Sequence, residues 1–429
     1  MKRIITVMLC LLLLAGCGGQ EKPPVESNVT TQAPTEPTPP TELTPKPGIT
    51  VPKVEGMRDD FVMGADVSSL IAQENSGVVY YNFDGQPQDL LKTLSQSGLN
   101  YIRVRIWNDP YDASGNGYGG GNCDLQNAIA IGRRASEQGM KLLVDFHYSD
   151  FWADPGKQQV PKAWQGLSFE EKADAMADFT RTSLEALREN GVDVGMVQIG
   201  NETTGGFCGE WTAAGQYKLM ARATDAVRTF DPSIQIAVHY TNPEKGGFRT
   251  FAGYLKQYGV DYDIFATSYY PYWHGTLENL TAQLSAVADG YGKKVMVAET
   301  SWIYTAQDSD GHHNSVSTAE GYPVSVQGQA TALSALVQAM TSLGDRSVGV
   351  FYWEPAWIAV PGDSWQSRSA LWEKYGSGWA SSYAGAYDPQ DAGKYYGGSA
   401  CDNQALFDAD GHPLESLKTF LYLRTGEAV

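Results

Sequence analysis

The stretch DLQNAIAIGRRASEQGMKLLVDFHYS, residues 124–149, decides how this chain folds. In its first part Leu125, Ile129 and Ile131 alternate with polar residues at helical spacing, which predicts an amphipathic helix. Gly139 suits the left-handed turn that closes such a helix. The part that follows, KLLVDFHYS (141–149), is a short, largely apolar run of strand length. Runs of the same kind recur outward on both sides, as FVMGADVS (61–68), YIRVRIW (101–107), GMVQIGNET (195–203) and SIQIAVHY (233–240). DIFATSYYP (263–271), KVMVAETSW (294–302) and VGVFYWEPAW (348–357) complete the set. Longer amphipathic segments lie between them, such as SFEEKADAMADFTRTSLEALREN (168–190), and Gly98, Gly191 and Gly292 repeat the closing role of Gly139. Eight strand–helix units over residues 57–429 predict an α/β protein, a (β/α)8 TIM barrel with some long loops. A doubly wound open sheet is the alternative, but no glycine-rich phosphate turn follows the first run.

Ahead of the barrel the composition changes. Met1-Lys2-Arg3 is a basic n-region and Ile4 to Leu14 an apolar stretch of signal-peptide length. Leu14-Ala15-Gly16-Cys17 resembles the bacterial lipobox, so residues 1–16 are expected to be a lipoprotein signal peptide and Cys17 the lipidated mature N-terminus. Residues 17–56, which include TQAPTEPTPPTELTPKPG, are rich in Pro, Thr and Glu and are expected to form an extended tether. The expected location is the extracellular face of a bacterial cell envelope, with the membrane touched only through the N-terminal lipid. Beyond Cys10 and Cys17, the remaining Cys123, Cys208 and Cys401 are far apart and form no C-x-x-C pair; outside the cytoplasm one disulfide among them is open, and unpaired structural thiols are the favoured reading.

A balance of 31 Lys+Arg against 49 Asp+Glu gives a formal charge of −18, which argues against a nucleic-acid partner. With 42% hydrophobic residues the body is globular rather than disordered. A monomer is expected.

In a barrel of this kind the chemistry gathers where the strands end. The run ends carry Asp66; Arg103, Arg105 and Trp107; Asp145 and His147; Asn201 and Glu202; His239; Tyr269 and Tyr270; Glu299 and Trp302; and Trp353, Glu354 and Trp357. Polar and aromatic groups at the same end of all eight runs are costly to bury without a purpose. Aromatic faces beside carboxylates suit pyranose rings, whose C–H faces stack on indole while their hydroxyls take hydrogen bonds. Cleaving a glycosidic bond needs one protonated carboxyl and one ionised carboxylate. Glu202 and Glu299, from opposite sides of the mouth, form such a pair. Asn201 would bind a sugar 2-hydroxyl, and Arg103 or Arg105 would hold Glu299 ionised, because a nearby cation lowers a carboxylate pKa.

Asn-Glu closing the fourth run and Glu closing the seventh is the pattern of the 4/7 clan of retaining glycosidases. Within that clan the chain resembles the endo-β-1,4-galactanases (arabinogalactan endo-β-1,4-galactosidases, glycoside hydrolase family 53). The matching blocks are RVRIWNDP (103–110), LLVDFHYSDFWADPGKQQVPKAW (142–164), VQIGNET (197–203), VAETSW (297–302) and VGVFYWEPAW (348–357). The resemblance implies that Glu202 is the general acid/base and Glu299 the nucleophile. It implies that Arg103 contacts the nucleophile, that Asn201 binds the 2-hydroxyl and that Tyr270 stands beside the nucleophile. Asp145, His147 and Trp353 would lie near the cleaved bond, Trp353 as a sugar platform, with Glu354 structural or binding a hydroxyl. The implied partner is β-1,4-galactan, including the arabinogalactan side chains of pectin, and no organic cofactor is called for. A same-clan enzyme for mannan or xylan should lack the block DFHYSDFWADP. A surface lipoprotein that captures glycan without cutting it should have lost one of the two glutamates.

A second site follows the seventh run. In DSDGHHN (308–314), Asp308, Asp310, His312 and Asn314 alternate, and such donors can surround Ca²⁺. Bacterial members of the resembled family carry a similar calcium loop completed by Ser and Asp near the C-terminus, which implies Ser399 and Asp402 here. The ion would be structural, with His312 contributing its carbonyl.

Overall fold

The structure is a computed structural model and describes residues 48–390, 392 and 396–426. The expected signal peptide, Cys17 and the tether as far as residue 47 lie outside the described residues.

Each of the eight runs matches a strand, β4 and β8 starting one residue earlier than expected: β1 Val62–Asp66, β2 Tyr101–Ile106, β3 Lys141–Phe146 and β4 Val194–Ile199, then β5 Gln235–Tyr240, β6 Ile264–Ser268, β7 Lys294–Glu299 and β8 Ser347–Trp353. All pair in parallel in chain order, and β8 returns to β1, closing a (β/α)8 barrel. Helices cross between consecutive strands because parallel neighbours need a long connection. The helix expected from the opening stretch spans Leu125–Glu137, and its buried face includes Ala128, Ile129, Ile131 and Ala135. Phe169–Glu189 starts in a reciprocal cap in which the Ser168 hydroxyl accepts the Glu171 amide and Glu171 accepts from the Ser168 amide. Gly98, Gly139, Gly191 and Gly292 all have positive φ at helix ends, as expected.

Two apolar layers hold the barrel. Val62, Leu143, Met196, Ile264, Met296 and Phe351 fill its interior, and the outward strand residues pack with the helices in a larger cluster. Gly64 faces Phe351, whose ring would lie 2.2 Å from any Cβ there, so a glycine is what lets the Phe fill the barrel. Cys123, Cys208 and Cys401 are buried and unpaired. Among the described residues no helix is long and apolar enough to cross a membrane.

One boundary needs correction. The expected tether extends to residue 56, yet Ile49, Val51 and Val54 are 2%, 2% and 6% exposed and belong to the core. The Thr50 amide donates to Gln327, whose side chain donates back to the Thr50 carbonyl, and the Val54 amide donates to the Leu423 carbonyl. Three apolar residues in a Pro-flanked stretch are too few for a periodic signal. They order because the barrel offers them a wall.

Candidate active site

Strand register sets the floor of the mouth. Asp66 on β1 pairs with Arg103 on β2, and Arg105 pairs with Asp145 on β3. The Arg103 guanidinium, fully buried, divides itself among Asp66 Oδ2 (2.8 Å), Glu299 Oε1 (2.9 Å), Asp145 Oδ2 (2.8 Å) and Asn201 Oδ1 (2.9 Å). Arg105 joins Asp66 Oδ1 at 3.1 Å to Glu354 Oε1 at 2.7 Å. A buried cation left unpaired is costly, and these carboxylates supply the compensation.

Above this floor stand the two glutamates. Glu202 has φ 45°, a left-handed conformation uncommon outside glycine, and Glu354 has φ 48°. The Glu202 carboxyl accepts a hydrogen bond from Ser268 Oγ at 2.6 Å, and that hydroxyl lies 3.5 Å from Glu299 Oε2. Tyr270 donates its phenol to Glu299 Oε2 at 2.9 Å. Burial and the adjacent Glu299 push the Glu202 acid up to about 8. Burial also raises Glu299, against the pull of Arg103 and the Tyr270 hydroxyl. Arg103 therefore pulls Glu299 toward its ionised form, as expected of an arginine here, while burial acts against it. Arg103 is shared with Asp66 and Asp145, so its pull does not outweigh desolvation. Between the two carboxyls, ionisation still falls to Glu299 first, because it alone has a cation and a phenol turned toward it.

The cleft over this floor, about 470 Å³, is lined by Asn201, Glu202, Tyr270, Glu299, His147 and Trp353 among others. Asn201 donates to the Ala153 carbonyl at 2.9 Å, which leaves its second amide N–H for a ligand. His147 Nδ1 accepts from the Trp107 indole at 3.0 Å, so its proton sits on Nε2, facing Asp145 at 3.1 Å. Trp353 is grouped with Trp152, Trp357 and Trp379, and Trp152 and Trp379 stack at 4.6 Å. The Arg105 guanidinium lies 4.6 Å from the Trp152 ring and 6.0 Å from that of Trp353.

Two of the residues expected around the cleaved bond lie beneath the cleft. Arg103 and Asp145 are both wholly buried, and neither is among the cleft-lining residues. Asp145 Oδ1 accepts from Gln198 at 2.6 Å while its Oδ2 serves Arg103 and His147, so it orients those neighbours. Sequence reading passed over Ser268, Gln198, Trp152 and Trp379. The first two carried a signal, a polar residue inside an otherwise apolar run. Trp379 carried none.

In the second candidate site, one oxygen from each of Asp308, Asp310 and Asp402 lies within 4.8 Å of the others. Asn314 Oδ1 and Asp402 Oδ1 are buried without a hydrogen-bond partner. Burial, with Asp402 and Asp308 nearby, pushes Asp310 up to about 7. The side chains of the other two expected ligands are turned elsewhere. His312 lies against Trp365 at 6.2 Å, and Ser399 Oγ faces the Trp357 carbonyl and the Cys401 amide.

Residues 62–420 match the model of the family described as glycosyl hydrolase family 53. The chain is 59% identical over 381 residues to the endo-beta-1,4-galactanase of Bacillus subtilis (strain 168), covering 88% of this chain and 89% of that protein. It is 33% identical over 308 residues to arabinogalactan endo-beta-1,4-galactanase A of Emericella nidulans, with 69% of this chain and 85% of that one covered. Among solved structures, the Ignisphaera aggregans GH53 catalytic domain superposes with a TM-score of 0.78 at 37% identity, covering 87% of this chain and 99% of that domain.

Proposed function

We infer, from the premise that the chain belongs to glycosyl hydrolase family 53, that it hydrolyses β-1,4-galactan at internal bonds by a double displacement at Glu202 and Glu299. One observation carries the stereochemistry. Since Ser268 Oγ is 2.6 Å from Glu202 Oε1 and 3.5 Å from Glu299 Oε2, those oxygens are at most about 6 Å apart. Carboxyls that approach so closely favour direct attack and retention, for which the two groups stand about 5–5.5 Å apart. Glu202, kept protonated by burial and by Glu299, donates to the leaving glycosidic oxygen. Glu299, steadied by Arg103 and Tyr270, attacks the anomeric carbon to form a galactosyl ester. Glu202, now ionised, takes a proton from the water that releases it. Trp353, Trp152 and Trp379 supply stacking faces, and the free amide N–H of Asn201 meets the 2-hydroxyl.

The donor set after β7 suits calcium. Three clustered carboxylates and an amide oxygen without a partner are hard ligands that a divalent cation would satisfy. Asp308, Asp310, Asn314 and Asp402 would hold it, and His312 and Ser399 have their carbonyls to add. The ion would neutralise the crowded carboxylates and pin the loop; it takes no part in bond cleavage. The lipobox-like segment ending at Cys17 supports a lipid anchor on the outer face of a bacterial envelope, with residues between Cys17 and the barrel as its spacer.

The deciding experiment is reducing-end release from linear β-1,4-galactan, with β-mannan and β-xylan in parallel, for the protein and its Glu299→Ala variant. Release from galactan alone, lost in the variant, is the expected result. Wild-type activity in Glu299→Ala would sink the assignment of the nucleophile.

A further inference from the structure

We propose that Ser268 is a positioning residue for the acid/base: held by His239, it donates to Glu202 Oε1 and so keeps the transferable proton on the other carboxyl oxygen. The proposal rests on the reading of Glu202 as the acid/base.

The placement arises from a break in strand pairing. β6 and β7 run in step through Thr267 and Val297, then the register shifts so that Ser268 stands opposite Glu299. Such bulges re-aim a side chain. Ser268, wholly buried, is thereby set between Glu202 and the His239 ring at the end of β5, with His239 Nε2 at 3.0 Å from its oxygen.

The direction of this chain of hydrogen bonds follows from the other side of the ring. His239 Nδ1 receives the Glu202 backbone N–H at 3.3 Å, and the Gln198 amide nitrogen lies at 3.1 Å. Asn201 Oδ1 is 3.0 Å from the same nitrogen, but it already accepts from Arg103, whereas the backbone N–H of Glu202 is aimed at Nδ1 and needs it as an acceptor. Nδ1 therefore accepts and Nε2 carries the proton. Burial, with Arg103 and His147 nearby, holds His239 well below its ordinary value, so the ring is neutral. Nε2–H donates to Ser268 Oγ, whose only proton is left for Glu202 Oε1.

The consequence bears on both half-reactions. With Oε1 committed as an acceptor, the acid proton occupies Oε2. In the second half-reaction the same donor favours the carboxylate that must act as base. Ser268 and Thr241 hydroxyls thus oppose burial, Glu299 and Asp154, all of which push the Glu202 acid upward. Tyr270 donates to Glu299 and does not share this role.

The test is the pH profile of kcat/KM on linear β-1,4-galactan for the protein, Ser268→Ala and Ser268→Thr, with Glu202→Gln beside them. Ser268→Ala should move the basic limb to higher pH by about one unit, the effect of losing one hydrogen bond to a charged group. The acidic limb, set by Glu299, should stay. Ser268→Thr keeps the hydroxyl and should return the basic limb to its original place. A limb unmoved in Ser268→Ala, or moved equally in Ser268→Thr, overturns the proposal. If the limb instead persists in the residual activity of Glu202→Gln, the assignment of Glu202 fails, which is a separate result.

Discussion

The chemistry at single residues turns on how one cation is shared. Arg103 contacts Asp66, Asp145, Asn201 and Glu299 at once, so no carboxylate has it alone. Glu202 has no cation in contact and is pushed up to about 8. An acid catalyst must be protonated, so kcat/KM should hold to near pH 8 and fall above it, as Glu202 ionises. A limb several units lower would mean that Glu202 is not the acid. On the other limb, Tyr270→Phe removes a donor that favours the Glu299 carboxylate. Its pKa should rise, the acidic limb should move to higher pH, and kcat should drop about tenfold or more. An unmoved acidic limb would show that the phenol does nothing for the nucleophile. Both glutamates were legible in the sequence because each ends a strand run beside turn residues. The division of Arg103 was not, since it depends on four strands meeting at one point.

At the scale of elements, the loop after β7 gathers like charge. Asp308, Asp310 and Asp402 bring their oxygens together across 94 residues of sequence at the farthest, and two acceptor oxygens nearby stay unsatisfied. Such an arrangement is self-repelling without a cation. Chelation should therefore lower the Tm, and calcium should restore it, with a smaller effect on the rate at 25 °C. An unchanged melting curve would count against the ion. The alternation in DSDGHHN identified part of this set from sequence. The His312 and Ser399 side chains face other groups, Trp365 for the first and the Trp357 carbonyl and Cys401 amide for the second, which leaves their carbonyls for an ion.

For the whole molecule, the segment 49–54 is a strap rather than tether. It joins the helix Val326–Thr341, through Gln327, to the last helix, Thr419–Thr425, through Leu423. Ile49→Ala with Val51→Ala should cost roughly 2–4 kcal/mol together, read as a lower midpoint in denaturant. Unchanged stability would mean that the strap merely lies against the barrel. Soluble forms intended for assay should accordingly begin before Ile49.

What the sequence determined by itself was the barrel and which two carboxyl groups face each other at its mouth. Burial imposes a repeating apolar pattern on each strand and helix, and that pattern is local enough to read along the chain. What only the tertiary structure decided was which polar groups touch. Cross-strand partners depend on register, and register slips at Leu142/Leu143, Thr267/Ser268 and Val295/Met296, where no residue type announces it. Ser268 therefore meets Glu202, 66 residues away, and Glu299, 31 residues away, through a one-residue shift in strand pairing.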